Sequence, residues 1–239
     1  ITDHHNVPEV LPEAFALLNP RVAEETYPFE GLSGVGMAYK LVSALLRNYP
    51  GDIAAFEEWG GVEGYLKWVL DIVAIGLVAD IMPLIDENRT LVNYGLLVLS
   101  KTRRLGLNKL AEVANIDMDN ADSFTIGYQI APRINAAGRL SHGREAFKLL
   151  TTDNESEAED LAWQLNEING LRRKVTDEAL VVAKEQAEQQ KDNPMLFVFG
   201  EGWQPGVVGL IAGRICEAYH KPTLAMTTVN DNVVGSGRS

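Results

Sequence analysis

Residues 195–239, "MLFVFGEGWQPGVVGLIAGRICEAYHKPTLAMTTVNDNVVGSGRS", decide the fold class. The run from Met195 to Phe199 is apolar and closed by Gly200, the pattern of a buried strand. Pro205 then opens a stretch with apolar residues at helical spacing that reaches Tyr219. "PTLAMTT" and "NVVGSGRS" follow as two further strands. Strand, helix, strand, strand is the beginning of a small α/β unit, expected to stop at its third strand. Gly206, Gly209 and Gly213 fall along the helix, and close packing on the sheet is the expected cause.

Upstream of this unit lies the longest periodic stretch, Glu155 to Lys191, where Leu161, Ile168, Val175 and Val182 recur every seven residues. The repeat predicts one long helix joining two domains. The expected organisation is therefore a domain over 1–152, a connecting helix over 153–192 and a second domain over 193–239. Within the first domain, "AFALLNP" reads as a strand ending at Asn19-Pro20, and "GVGMAYKLVSALLR" from Gly34 to Arg47 as an amphipathic helix. "EGYLKWVLDIVAIGLVADIMPL" reads as one strongly apolar helix limited by Pro83. Three more helices are predicted at "RTLVNYGLLVLSKTRR", "LNKLAEVAN" and "DSFTIGYQIA", the last ended by Pro132. "PRINAAGRLSHGR" after it reads as a loop.

The composition is that of an ordinary globular protein: 239 residues, 46% hydrophobic and 23% charged. A lone cysteine, Cys216, excludes an internal disulfide and a cysteine-based zinc site, which points to a reducing compartment and the cytoplasm. The apolar run Tyr65–Ile85 is broken by Lys67, Asp71 and Asp80, so it is a core helix and no membrane span. A net charge of -12 argues against a surface that coats nucleic acid indiscriminately. A polyanion needs a local cationic groove.

Asp3, His4 and His5 align a carboxylate with two imidazoles, donors that suit manganese, iron or zinc better than calcium. A solvated polar terminus is the commoner reading of such a tripeptide. Side chains on extended backbone alternate faces, so a metal bound there needs donors from elsewhere. Asp80, after "VAIGLVA", offers one, with a helix cap or a hydrogen-bonded buried aspartate as its plain alternative. Asp71 lies about 180° from Asp80 around a continuous helix, so just one of them faces a shared site.

Arg133, Asn135, Arg139 and Arg144 sit among small residues, a setting suited to bidentate phosphate contacts and equally to a solvated loop. Arg172 falls on the row that includes Leu165 and Ala179, with Asn166 and Asn169 spaced by three before it. A polar group on such a stripe marks a satisfied ion pair or a cleft, and the cleft is the reading taken here. "GSGRS" offers backbone N–H groups and Arg238 to an anion, a weak signal alone.

The order of these pieces is more specific than any one of them. "TDHH", "VADIMPL", "PRINAAGRL", "LNEINGLRR", "GWQPGVVGLIAGRI" and "GSGRS", in that sequence, resemble the DHH phosphoesterase superfamily, and within it the RecJ-like single-stranded-DNA exonucleases. The resemblance runs from residue 1 to residue 239. It implies an α/β fold: the C-terminal part of a parallel-sheet DHH domain, a long connecting helix, then part of a smaller DHH-associated domain. It also implies hydrolysis of phosphodiester bonds in single-stranded DNA during repair and recombination, assisted by two divalent ions, manganese preferred and magnesium the alternative. His4 and Asp80 then look like metal ligands. Asp3 would support or ligate the same site, and His5 would face the scissile phosphate. Arg133, Asn135, Arg139 and Arg172 would line the nucleic-acid path, and Arg238 with Ser239 would contact phosphate. A single-strand-binding protein is the implied partner; oligomeric state is left open.

Two departures temper the resemblance. The family carries two further aspartate motifs upstream of its DHH motif, so the chain is expected to hold an incomplete metal site and to be weakly active or inactive. Gln204 stands where the family often has histidine, keeping hydrogen bonding but losing a titratable group. The competing functions are a phosphodiesterase for short oligonucleotides or cyclic dinucleotides, whose relatives commonly end this domain in Gly-Gly-Gly-His, and an inactive nuclease-like binding module.

Overall fold

Ser33 accepts a hydrogen bond from the Gly36 N–H at 3.2 Å and so caps helix α1 (Gly34–Arg47). The computed structural model describes residues 1–23, 26–48, 51, 54–140 and 143–239, the side chains of Arg139 and Leu140 excepted. A 3₁₀ turn (Ala54–Trp59) follows, then α2 (Gly61–Trp68), α3 (Leu70–Ala79), α4 (Asp86–Leu99) and α5 (Leu105–Ala114). A π-helical turn (Thr125–Ile130) runs directly into α6 (Ala131–Leu140), followed by α7 (Arg144–Thr151) and α8 (Glu155–Glu188). Strand β1 (Leu196–Phe199), helix α9 (Pro205–Tyr219), β2 (Thr223–Val229) and β3 (Asn232–Arg238) complete the chain. No helix among the described residues is long and apolar enough to cross a membrane.

The chain divides into two compact units, Ile1–Pro132 with Leu150–Glu159, and Arg133–Leu149 with Asp160–Ser239. The first is built around α3, which is buried on nearly every side, as its uniform "LDIVAIGLVA" sequence requires. Leu70, Val73 and Leu77 of α3 meet Leu91 and Val92 of α4 and Leu32 just before α1. Asp71 is the exception in this apolar helix. It is 2% exposed, accepts from Thr102 Oγ1 at 2.8 Å, and pairs with Arg104 Nε at 3.1 Å.

In the second unit β2 is central, parallel to β1 and antiparallel to β3. Leu196 and Val198 of β1, Ala225 of β2, Val207, Val208 and Ile211 of α9 and Ala179, Leu180 and Ala183 of α8 share one core. The outer edge of β1 is not left to solvent. Gln190 accepts from the Phe197 N–H at 3.1 Å and donates to its carbonyl at 2.7 Å, and Gln186 does the same with Phe199 at 2.8 and 2.7 Å. The last turn of α8 and the turn that follows it thus supply the edge with the bonds a strand would give. Thr227, fully buried, shares its hydroxyl proton between the Gly200 and Trp203 carbonyls, each at 2.9 Å. Thr227→Val keeps the shape and removes the donor, so chemical denaturation should register a loss of about 1–2 kcal/mol.

Several elements differ from the sequence-based expectation. "AFALLNP" forms no strand; Leu18 makes an isolated parallel bridge to Thr2, with Asp3 N to Leu18 O at 3.0 Å and Leu18 N to Ile1 O at 2.9 Å. The apolar run expected as one helix breaks at Val69 into α2 and α3. Pro132 ends nothing. It lies inside one continuous helical run, immediately after the π-helical turn Thr125–Ile130, whose wider winding accommodates a residue without an N–H, so the expected loop is helix through Leu140. The seven-residue row in α8 does not stay buried either: Val182 is 43% exposed, while Ala158, Ala162, Leu165, Ala179, Ala183 and Ala187 are covered. A straight helix drifts about 20° per seven residues, which carries a strict heptad row toward solvent.

Candidate metal centre

The bridge to Leu18 fixes the backbone of residues 1–3, and the chain turns immediately after it. Asp3 organises that turn. Its Oδ1 accepts from the His4 N–H at 2.8 Å, the His5 N–H at 3.3 Å and His5 Nδ1 at 2.8 Å. The His5 side-chain bond first, and the two backbone bonds after it, hold the Asp3 carboxyl down at about 2. His5 Nδ1 donates to this carboxylate, which leaves Nε2 as the ring nitrogen without a partner among the described residues, on a ring that is 77% exposed. Asn19 clamps the turn from outside, donating Nδ2 to the His5 carbonyl at 3.0 Å and accepting from the Arg21 N–H at 3.0 Å.

The His4 ring lies beside that of His5, centroids 4.4 Å apart. It is 13% exposed and brings Nε2 to 3.1 Å from Asp80 Oδ2. Gly34, the first residue of α1, lies alongside; a Cβ there would sit 3.6 Å from the His4 ring. Asp80 is the C-cap of α3, and its position follows from where that helix stops: Asp80 N bonds to Gly76 O at 3.0 Å, and Ile81 adopts a left-handed φ of 55°. The expected opposition of the two aspartates holds, since Asp71 is consumed by Thr102 and Arg104 while Asp80 meets His4.

The donors suit a divalent ion. Neighbouring ligands of one ion with bonds of about 2.1 Å stand about 3 Å apart, so His4 Nε2 and Asp80 Oδ2 have the spacing of two such ligands. Imidazole with carboxylate is a manganese, iron or zinc set. The described residues contain no group of three or more histidine, cysteine, aspartate or glutamate side chains that could hold a metal, so the pair is two donors and no more.

The remaining expected site residues belong to the second unit. Arg133 is half-buried and donates Nε to Asn166 Oδ1 at 3.0 Å. Burial first, and the like charge of Arg173 second, push its pKa down. Arg172 is half-buried, Asn135 is exposed, and the side chain of Arg139 lies outside the described residues. Asn169 is 4% exposed, with an Oδ1 that has no hydrogen-bond partner among the described residues. At the end of β3, Arg238 and Ser239 are exposed, and Arg238 Nη1 donates to Ser236 Oγ at 2.9 Å. Gly209 of α9 leaves room for them, since a Cβ there would lie 3.2 Å from both Arg238 Nη2 and Ser236 Oγ.

Sequence reasoning overlooked Asn19, and it placed Asn166 on the polar row of the long helix without linking it to Arg133. Asn19 carried a turn signal in Asn-Pro, but nothing local announced that its amide would reach back to His5.

No family model matches the chain. Among named proteins it is 36% identical, over 99% of its length, to the single-stranded-DNA-specific exonuclease RecJ of Bacillus subtilis, of which it covers 28%. It is 37% identical over 100% of its length to the RecJ of Escherichia coli K12, covering 42% of that protein. Among solved structures it matches a crystal structure of exonuclease RecJ bound to manganese, with a TM-score of 0.79 and 28% identity over 100% of this chain and 56% of that one. RecJ from Thermus thermophilus in complex with Mn2+ gives 0.79 and 29% identity over 95% of this chain and 32% of that one. The chain thus spans less than half the length of the two named relatives from Bacillus subtilis and Escherichia coli. From end to end, in sequence and in fold, the chain is similar to a segment of the RecJ exonucleases.

Proposed function

We propose that the chain is the segment of a metal-dependent exonuclease in which part of a divalent-metal site is assembled, and that the whole protein hydrolyses phosphodiester bonds of single-stranded DNA in repair and recombination. The meeting of His4 with Asp80, brought from distant parts of the sequence to 3.1 Å, carries the reading. Named relatives that act on single-stranded DNA support the substrate. Relatives crystallised with manganese or magnesium support the ion class, manganese preferred.

His4 and Asp80 would hold one ion. Two divalent ions, when bound, make a water more acidic and offset charge on the phosphoryl group. Asp3 holds His5 through Nδ1 and leaves Nε2 available, and a protonated His5 would donate from that nitrogen to the scissile phosphate. Arg133, held by Asn166, would meet backbone phosphates with its terminal nitrogens, together with Asn135, Arg139 and Arg172 along the strand. Arg238 and Ser239 would contact a further phosphate. The cytoplasm, home to the chromosome, is the proposed location, and a single-strand-binding protein the proposed partner.

Two donors do not complete a two-metal centre, so the 239-residue chain itself should degrade single-stranded DNA weakly or not at all. Vigorous manganese-dependent degradation by this chain, abolished by His4→Ala, would falsify the two-donor picture. In an intact RecJ-type protein bearing this segment, His4→Ala and Asp80→Ala should each slow hydrolysis of a long single strand by on the order of 100-fold or more. Preference of that intact protein for dinucleotides or cyclic dinucleotides over the long strand would select the small-substrate phosphodiesterase instead.

A further inference from the structure

Phe124 and Tyr128 are the most conspicuous side chains with no role in the site described above. They are 57% and 72% exposed, yet they stack on each other, ring centroids 4.6 Å apart and planes 25° from parallel. Exposed aromatic rings lying parallel at a protein surface present a flat π face to solvent.

The pair is held rigidly from below. Thr125 N and Oγ1 both donate to Asp122 Oδ1, at 2.8 and 3.0 Å, and the Asp122 N–H donates back to Thr125 Oγ1 at 3.3 Å. This reciprocal cap fixes the start of the helical run. Ile126 and Ile130, 0% and 2% exposed, anchor the opposite face. Tyr128 lies in the π-helical turn Thr125–Ile130 and Phe124 immediately before it, a backbone form frequent at functional sites.

The turn also lies against the helix that carries Asp80. A Cβ on Gly127 would come within 3.6 Å of Val78 Cγ1, two residues before Asp80 on α3. The platform and the candidate metal pair are therefore two features of one packed assembly.

We propose that Phe124 and Tyr128 form a stacking platform for a nucleobase of the single strand, adding base contact to a path otherwise read as phosphate-binding. The inference rests on the reading of the chain as a binder of single-stranded nucleic acid. Stacking is indifferent to base identity, because every base has a π face, and it is insensitive to salt, unlike arginine contacts to phosphate.

The test titrates a fluorescent oligodeoxythymidylate, and an abasic deoxyribose-phosphate strand of equal length, with the chain and with its Phe124→Leu/Tyr128→Leu variant. Leucine keeps helix propensity and apolar bulk while removing the π faces. The variant should lose about 5- to 150-fold in affinity for the base-bearing strand, at an unchanged slope of log K against log salt, and less than twofold for the abasic one. A variant that binds the base-bearing strand within twofold of the parent overturns the platform and leaves the nuclease reading standing. Equal losses on both strands overturn it too. A parent chain that binds neither strand removes the nucleic-acid reading and the platform with it. A strand bearing 5-iododeoxyuridine gives a readout on the unaltered chain: photocross-links should map to Phe124 or Tyr128, and cross-links confined to other segments would count against the proposal.

Discussion

Arg104→Met should lower the stability of the first unit by about 3–5 kcal/mol, the cost of leaving a buried carboxylate without its cation. Asp71 is 2% exposed in the middle of the most apolar helix of the chain, and Arg104 Nε reaches both of its oxygens, at 3.1 and 3.3 Å. Arg104 does more than neutralise. Its Nη1 donates to the Leu150 carbonyl at 3.2 Å, tying the end of α7 to the same point. Methionine replaces the packing of the stem and none of the charge. Asp71→Leu in the same background should recover most of the loss, because an apolar pair of similar volume avoids the desolvation of two ions. Denaturant melts of the two single variants and the double variant would measure this. A single variant within about 1 kcal/mol of the parent would show that solvent reaches Asp71.

Gly95→Leu is the second large effect. A Cβ at Gly95 of α4 would lie 2.4 Å from the Leu70 carbonyl oxygen and 2.5 Å from Ala74 Cβ, both on α3. Neither neighbour is a flexible side-chain end, so the helices must part to admit any side chain. The expected loss is about 4 kcal/mol or more, at the upper end of overpacking. Gly170→Ala is the matched control with the opposite sign. No atom lies within 4 Å of a Cβ at this site in α8, and removing backbone freedom from an exposed helix position should stabilise by about 0.5–1 kcal/mol. Thermal unfolding followed by circular dichroism separates the two, and a tolerated Gly95→Leu would mean that α3 and α4 are not in contact there.

Much of the fold was legible because local signals and tertiary structure agree. The apolar spacing of "GVGMAYKLVSALLR" matches α1, and the strand, helix, strand, strand order of residues 196–238 was readable from turn residues and apolar runs alone. Where reading failed, context outweighed a local rule. Pro132 is a helix breaker by propensity, yet it sits within a continuous run, where the π-helical turn just before it accommodates the missing N–H. The run after Glu63 is apolar enough for one helix, but hydropathy does not register the change of direction at Val69. Seven-residue recurrence in α8 was real and still misjudged Val182, because a period of 3.5 is not the period of a straight helix.

The candidate site divides in the same way. That Asp71 and Asp80 must part company follows from helix geometry, and the structure gives them separate partners. That His4 finds Asp80 is a long-range fact with no local trace, and the resemblance of motif order stood in for it. Asn19 had neither source, and Asn166, visible on the polar row of the long helix, had no local link to Arg133. Each is an amide that holds a functional side chain from a distance in sequence.

The two glutamines along β1 have a further consequence. A sheet with one edge already satisfied by side chains can grow in one direction only, and here that direction is past β3, whose outer edge has no strand partner among the described residues. Any additional strand, from the same polypeptide or another, is thereby steered to the side of the sheet that bears Ser236 and Arg238. The polarity of assembly is written into two amide groups, Gln186 in the last turn of α8 and Gln190 just beyond it.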